Sequence, residues 1–263
     1  MQGFCNVLRA AFLGTTALVA VAGAANAADL SLKDEPAMEE ARKWGISFYA
    51  AGVTDYVFRG ISQTSEEPTV QAAVDLTYGI AYFGIWGSGI DFGTPAAADV
   101  EIDIYAGIKP TYKNITFDIG GLYYYYPGAN DAGAETDYFE AKLGASGTIY
   151  DGLSAGLTLY YSPEYSGETG EALTVEGTVS KTLPKFMMLD LVASGTLGYT
   201  DVDELGDYVY WNVGLTKTYG KFSLDVRYHD TDLDVGDNNF GCSNDDAFAC
   251  DERVVGTLKV TLP

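Results

Sequence analysis

The feature that most constrains this chain is a period of two in hydrophobicity, which runs from Ile46 almost to the last residue. Segment after segment alternates large apolar residues with small or polar ones, as in TVQAAVDLTY, DVEIDIYAGIK and KFSLDVRYHD. The segments number about twelve and are roughly ten residues long, which is the length of a tilted strand that crosses a bilayer. The pattern therefore predicts an all-β protein.

The connections between these segments alternate strictly between short and long. A meander with tight turns at one end and long loops at the other is typical of an outer-membrane barrel, whereas the crossings of a secreted sandwich would break the alternation. We therefore predict a transmembrane antiparallel β-barrel of about twelve strands with up-and-down topology. The short connections are Gly79, 110–114, 150–152, 183–185 and 219–220, and the long ones are 60–68, 91–99, 127–137, 163–171, 201–207 and 230–252.

The N-terminal region has the features of a secretory signal peptide. Arg9 supplies a positive charge, the run AAFLGTTALVAVAGAA is apolar and rich in small residues, and Ala25-Asn26-Ala27 forms an A-x-A cleavage site. We predict a signal peptide over 1–27, a periplasmic lead-in over 28–45 and the barrel over 46–263. Pro36 either opens a short helix in the lead-in or belongs to an unstructured leader.

Charge and cysteine content exclude several functions. With 37 acidic and 15 basic residues the formal net charge is -22, so no basic face is available for nucleic acid. His229 is the single histidine, and neither a metal site nor a cofactor is expected. After cleavage Cys242 and Cys250 remain as a pair in an exported protein, which predicts a disulfide.

The two faces of the strands differ in charge. In YAAGVTDYVFRG, Asp55 and Arg59 fall on the same face of a predicted strand over 49–58. A soluble barrel would show the same alternation, but aromatic residues cluster at strand ends beside the long loops, as in an interfacial girdle (Tyr56, Phe58, Tyr123, Tyr125, Tyr161, Tyr199, Tyr210 and Trp211). We therefore predict that the charged face lines a wet lumen. The residues assigned to it are Asp55, Arg59, Asp75, Glu101, Asp103, Lys109, Asp118, Glu140, Lys142, Glu176, Asp190, Asp225, Arg227, Arg253 and Lys259.

Several short pieces, in order, resemble the TorF family of porin-like proteins. They are VTDYVFRGISQT, GIWGSGID, EIDIYAGI, YYYYPGA and CDERVV, and they extend over residues 46–255. The resemblance implies an outer-membrane β-barrel of unassigned substrate and brings no catalytic residues. The chain ends on Leu262-Pro263 instead of the aromatic residue that is common at the end of such barrels.

These observations predict a passive outer-membrane pore for small solutes in a Gram-negative bacterium, with outer-membrane lipid and the barrel-assembly machinery as partners. Of the 37 acidic residues, 22 lie in the long connections, which favours cations. One alternative is a structural or surface-interaction barrel whose lumen is plugged, since Tyr105, Tyr124, Tyr126 and Tyr160 point inward in the predicted register. A hydrolase that uses His229 is less favoured, and no enzyme activity is expected. The solute, the openness of the lumen and the oligomeric state are left open.

Overall fold

The strands form as the alternation predicts. In the computed structural model, residues 44–92, 98–129, 135–184, 191–234, 240–242 and 249–262 are described. The predicted signal peptide, nearly all of the lead-in with its candidate helix, and Leu189 and Asp190 lie outside these ranges. Twelve long strands are present: β1 (Trp44–Val53), β4 (Thr69–Tyr78), β5 (Ala81–Gly89), β6 (Val100–Ile108), β8 (Ile115–Tyr125), β9 (Tyr138–Tyr150), β10 (Leu153–Ser162), β11 (Ala172–Thr182), β12 (Leu191–Val202), β13 (Gly206–Tyr219), β14 (Phe222–Thr231) and β15 (Arg253–Leu262). Three two-residue strands accompany them: β2 (Val57–Phe58), β3 (Ile61–Ser62) and β7 (Thr111–Tyr112).

The long strands close into a ring. Each pairs antiparallel with the next along the chain, β6 pairs with β8, and β1 pairs with β15 over Phe48–Val53 and Thr257–Leu262. Closure leaves no unpaired sheet edge, which is the property that allows a sheet to exist where water cannot satisfy its backbone. The predicted twelve-stranded antiparallel barrel is confirmed.

The outside of the ring is apolar. Alternate residues of each strand are exposed there and are large and hydrophobic, for example Val70 at 73% exposure and Val213 at 57%. The residues between them are buried inside the ring and are polar, aromatic or small. A water-soluble barrel would have the reverse arrangement, with its polar face outward. The described part of the chain contains no helix with the length and apolar character that a membrane crossing requires.

The predicted strand over 49–58 is wrong in its second half. Strand β1 ends at Val53, and the chain then turns inward and forms the hairpin β2–β3, with Arg59 and Gly60 at its tip. Arg59 and Gly60 both have positive φ, 48° and 87°. This is the backbone conformation of the two-residue turns that connect the strands of a tight β-hairpin. We call residues 54–64 the inner hairpin.

Another loop is shorter than predicted. The connection assigned to 201–207 contains three residues, because β12 continues to Val202 and β13 starts at Gly206. Asp201 and Asp207 pair across the ladder instead of extending a loop. Threonine and tyrosine in these strand ends have high β propensity, which outweighs the turn signal of four neighbouring acidic residues.

Candidate functional site

The inner hairpin lies across the interior of the barrel. Its Tyr56 packs edge-on against Trp86 of β5, with ring centroids 5.4 Å apart, and its Phe58 packs against Tyr124 of β8 at 5.9 Å. At the tip, a Cβ added to Gly60 would overlap the Thr231 methyl of β14 and press on Tyr210 of β13. The hairpin therefore contacts strands around most of the ring.

Arg59 anchors the tip of the inner hairpin to the opposite wall. Its Nη1 and Nη2 donate to the two carboxylate oxygens of Glu140 on β9, each at 2.8 Å, and both side chains are 1% exposed. The guanidinium also lies over the rings of Phe58 and Tyr160, 4.7 and 5.1 Å from their centroids. Burial alone would lower the pKa of Arg59, but the Glu140 carboxylate outweighs it, and the pKa lies above its ordinary value. The pair is thus a fixed, bidentate ion pair inside the barrel.

Two further contacts hold the base of the inner hairpin. Asp55 accepts hydrogen bonds from the hydroxyls of Ser62 and Thr64, at 2.7 and 2.8 Å, and pairs with Arg253 of β15 at 3.2 Å. The Tyr56 hydroxyl donates to Glu101 Oε1 at 2.8 Å. Burial, with the charge of Glu101 beside it, raises the pKa of Tyr56, so this hydroxyl stays a donor.

A second polar group lies below the inner hairpin, toward the tight turns. Asp118 of β8 accepts from the Tyr82 hydroxyl at 2.7 Å and pairs with Lys142 at 2.7 Å and with Lys109 at 3.7 Å. The Lys109 ammonium also lies 5.2 Å from the Tyr82 ring centroid. This acid is matched by two bases.

A third group occupies the wall formed by β12, β13 and β14. Arg227 donates to Asp225, to Asn212 Oδ1 at 2.7 Å and to the Ser194 hydroxyl at 2.8 Å. Asp225 also accepts from the Thr216 hydroxyl at 2.7 Å. Every partner in this network is buried.

Glu101 and Asp103 differ from the other interior acids. They are two residues apart on β6, so both side chains face inward, and they are 2% and 0% exposed. Asp103 accepts no hydrogen bond from a donor group of the described structure, but its carboxyl group is hydrogen-bonded to that of Glu101. Asp103 lies in one cross-strand row between Trp86 and Tyr124.

The residues assigned to the lumen lie inside the ring wherever they are described. Sequence reasoning placed them by strand alternation, but it missed the partner of each, because pairs such as Arg59 and Glu140 are 81 residues apart. Asp55 and Arg59 do not lie on one strand. Asp55 pairs with Arg253 on β15, and Arg59 pairs with Glu140 on β9. Asp190 lies outside the described residues. The buried members are Asp55, Arg59, Asp75, Glu101, Asp103, Glu140, Lys142, Glu176, Asp225 and Arg227, and the partly buried ones are Lys109, Asp118, Arg253 and Lys259.

The aromatic girdle is only partly where it was predicted. Tyr56 and Tyr210 are each 1% exposed and lie inside, where they bind Glu101 and Glu176. The prediction was wrong for these two, and for Phe58, which packs against Tyr124 inside the barrel, because aromatic residues at strand ends also fill barrel interiors. The described exposed aromatics at the long-loop end are Tyr123, Tyr125, Phe139, Tyr161 and Tyr199. Sequence reasoning missed a second set at the tight-turn end, which includes Trp44, Tyr78, Tyr112, Tyr150, Tyr219 and Phe222.

The last long connection packs on the inner hairpin. Cys242 and Cys250 form the predicted disulfide, and both cluster with Ile61, Tyr208 and Tyr210. The Ser62 amide donates to the Ala249 carbonyl at 2.9 Å, and the Thr231 hydroxyl donates to the Cys250 carbonyl at 3.1 Å. The bridge therefore braces the hairpin from the long-loop side.

His229 is buried in β14 instead of lying in water at the rim. Its cross-strand neighbours are Asn212 and Arg253. A general base needs a nucleophile within hydrogen-bond reach and a group that orients the ring. The cross-strand neighbours of His229 are the amide of Asn212 and the guanidinium of Arg253, so neither of them is a nucleophile or a carboxylate that could orient the ring.

Solved porins share this fold. The KdgM porin aligns over 82% of this chain and 98% of its own, with a TM-score of 0.53 and 9% identity. The NanC porin aligns over 83% of this chain and 100% of its own, with a TM-score of 0.53 and 8% identity. A KdgM porin in complex with disordered oligogalacturonate aligns over 83% of this chain and 99% of its own, with a TM-score of 0.50 and 10% identity. At these identities the likeness concerns the fold alone.

The curated proteins include no significant match to this sequence. One family model does match, over residues 38–262, and it therefore includes every strand of the ring. The chain belongs to the Gcw_chp family of bacterial proteins of unknown function.

Proposed function

We propose that the protein is an outer-membrane porin-like channel through which small solutes diffuse passively, and that the inner hairpin forms its constriction. The observation that carries this proposal is the closed ring with a hydrophobic outside and an ionic inside. Only lipid favours the outside of such a ring, since its large apolar side chains would otherwise face water. The resemblance to the TorF family and the fold shared with the KdgM and NanC porins support the same function.

The setting of this channel follows from the sequence. A cleaved signal peptide over 1–27 exports the chain, the barrel-assembly machinery inserts it, and the acidic loops face the cell exterior. The lead-in over 28–45 stays in the periplasm. Mass spectrometry of the mature protein from outer-membrane fractions checks this, because it should begin at Ala28.

Cations are the solutes that the charges favour. Eight acids and six bases of the predicted lumen set lie within the described residues, and the long connections add further acidic groups. Negative charges that converge on one mouth concentrate cations and repel anions, and salt screens this effect over about 10 Å at 0.1 M. Reversal potentials under a potassium chloride gradient should show cation preference at low salt. Anion preference there would contradict it.

The alternative of a plugged barrel has one observation in its favour. Tyr124, Arg59 and Glu140 are each 1% exposed, so the constriction is tightly packed around the inner hairpin. Conductance of the refolded protein in planar bilayers distinguishes the two functions. Discrete steps support a channel, and a silent but inserted protein supports a plugged structural barrel.

A further inference from the structure

The outside of the ring carries a groove of about 940 Å³ across β15, β1, β4 and β5. Its floor is a cross-strand row of small residues, in which Ala50 pairs with Ala72 and Ala72 pairs with Gly87. Larger side chains of the next outward row, among them Val74 and Ile85, border the floor on the side of the tight turns. We call this depression the outer groove.

The row that forms the outer groove rises obliquely from the tight-turn end of the barrel. It begins at Tyr219 and Phe222, continues through Val260 to Ala50, and reaches Ile102 in the long-loop half of β6. From Phe222 to Ile102 it crosses five strand spacings of about 4.8 Å, and at a strand tilt of about 40° it climbs about 15 Å. Half of a hydrocarbon core about 30 Å thick is the depth of one leaflet, so the row spans one leaflet.

Positive charge lies at the lower end of the outer groove. Lys221 directly precedes Phe222 in an exposed turn, and its carbonyl accepts from the Thr261 amide of β15. Lys217 is on the same outward face of β13 as Tyr219, which is 81% exposed. Lysine attracts the phosphates of lipid head groups, and exposed tyrosine is typical of the membrane interface. The charge therefore lies where the head group of a lipid is when its chain follows the groove upward.

We propose that a glycerophospholipid of the leaflet at the tight-turn end binds here, with an acyl chain in the outer groove and its phosphate at Lys221. An acyl chain is narrow and unbranched, so it can lie along a single row of small residues. A second barrel would instead present a convex face, which leaves the floor uncovered. The inference rests on the membrane setting of the proposed function and not on conduction.

Retention of the lipid is measured by native mass spectrometry on the full-length protein refolded in detergent, with dipalmitoyl phosphatidylethanolamine as the probe. Gly52→Leu tests the groove, because Gly52 lines it and an added Cβ meets no atom within 4 Å. The leucine should exclude about two methylene groups of the chain and so weaken retention roughly tenfold. Gly177→Leu should retain the lipid as the parent does, because Gly177 faces outward on β11, where an added Cβ meets only the Leu197 carbonyl oxygen at 3.9 Å.

Two lysine variants test the contact with the head group. Lys221→Gln should weaken retention roughly two- to fivefold at low salt, which is the range of an exposed ionic contact. Lys113→Gln removes a lysine beside the exposed Tyr112 at another tight turn and should leave retention unchanged. Equal losses in the two variants would contradict a phosphate contact at Lys221, and displacement of the lipid by inorganic phosphate would contradict binding through the chain.

Equal retention by Gly52→Leu and Gly177→Leu would overturn the proposal, because the lipid would then coat the outer face without preference. A parent dimer that Gly52→Leu converts to a monomer would also overturn it and assign the outer groove to a second copy of the chain. If Gly52→Leu does not refold, Ala72→Leu on the groove floor decides the question. A barrel that retains the lipid but does not conduct would contradict the channel and support this site.

Discussion

At the residue scale, the interior depends on how each buried charge is neutralised. Arg59 shows the requirement most clearly, because it brings a full charge into the barrel and meets Glu140 with two hydrogen bonds of 2.8 Å. The cost of removing both groups from water is offset by this geometry and by the two aromatic rings beside the guanidinium. Loss of one partner leaves the other charge buried and alone.

Replacing Arg59 by alanine should therefore destabilise the protein and loosen the inner hairpin. Breaking a buried pair costs about 3–5 kcal/mol, so the urea midpoint of the refolded barrel should fall clearly. Lys181→Ala is the matched control, because Lys181 pairs with Asp151 at an exposed turn where a bridge contributes about 0–1 kcal/mol. Equal losses in the two variants would contradict an anchoring role for Arg59.

Gly60→Ala tests the contact between the hairpin tip and the wall. The φ of 87° disfavours any side chain, and a Cβ would also collide with Thr231 and Tyr210. Gly206→Ala separates the two effects, since Gly206 has a φ of 92° but no atom within 4 Å of an added Cβ. We expect Gly60→Ala to expose the hairpin to protease while Gly206→Ala does not. Protection of both would mean that the tip is not seated against the wall.

At the element scale, the twelve long strands were predictable and the inner hairpin was not. Alternation sets which face of a strand is apolar, and tight turns set the order of pairing, so both are local properties of the sequence. The hairpin interrupts the alternation after Val53 with a turn whose direction depends on distant partners, namely Glu101, Glu140 and Arg253. For the same reason the sequence places Tyr56, Phe58 and Tyr210 in the interfacial girdle although they lie inside the barrel.

The disulfide should matter for the inner hairpin more than for the ring. The Cys242–Cys250 bridge closes a loop of sequence separation 8, and such a short loop contributes at most about 2–3 kcal/mol. Replacing both cysteines with serine should leave the barrel spectrum unchanged by circular dichroism and speed protease cleavage within residues 54–64. Loss of strand content in this variant would assign the bridge a role in the barrel itself.

At the scale of the whole molecule, the outer face of the ring is apolar and the interior is polar, which is the arrangement of a barrel that lies in a membrane. An arginine on the outer face should cost about 2–4 kcal/mol at the bilayer midplane and about 0–1 near the interface. Val213 lies in the middle of β13 and Val254 near the start of β15, and both are well exposed. Val213→Arg should therefore fold into lipid vesicles much less efficiently than Val254→Arg. Equal folding in vesicles would argue against a lipid-facing belt.

The charged residues are distributed unevenly between the interior of the ring and its long connections. Six bases and eight acids of the predicted lumen set are described, and most of the bases are used to neutralise a neighbouring acid. The excess negative charge of the chain therefore lies largely in the long connections, which hold 22 of the 37 acidic residues. Sequence composition predicted the sign of this excess, but which interior acids meet a base depends on the register of the strands, as for Asp118 and Lys142 on β8 and β9.

Single-channel conductance of the parent protein and of a variant without the hairpin tests the central claim most directly. In the variant, Val57–Ser62 is replaced by a short glycine–serine linker, which removes Arg59 and the tip while β1 and β4 keep their pairing. If the inner hairpin is the constriction of a channel, both proteins conduct and the variant shows larger steps. Equal conductance, or silence of both proteins after verified insertion, would contradict the account.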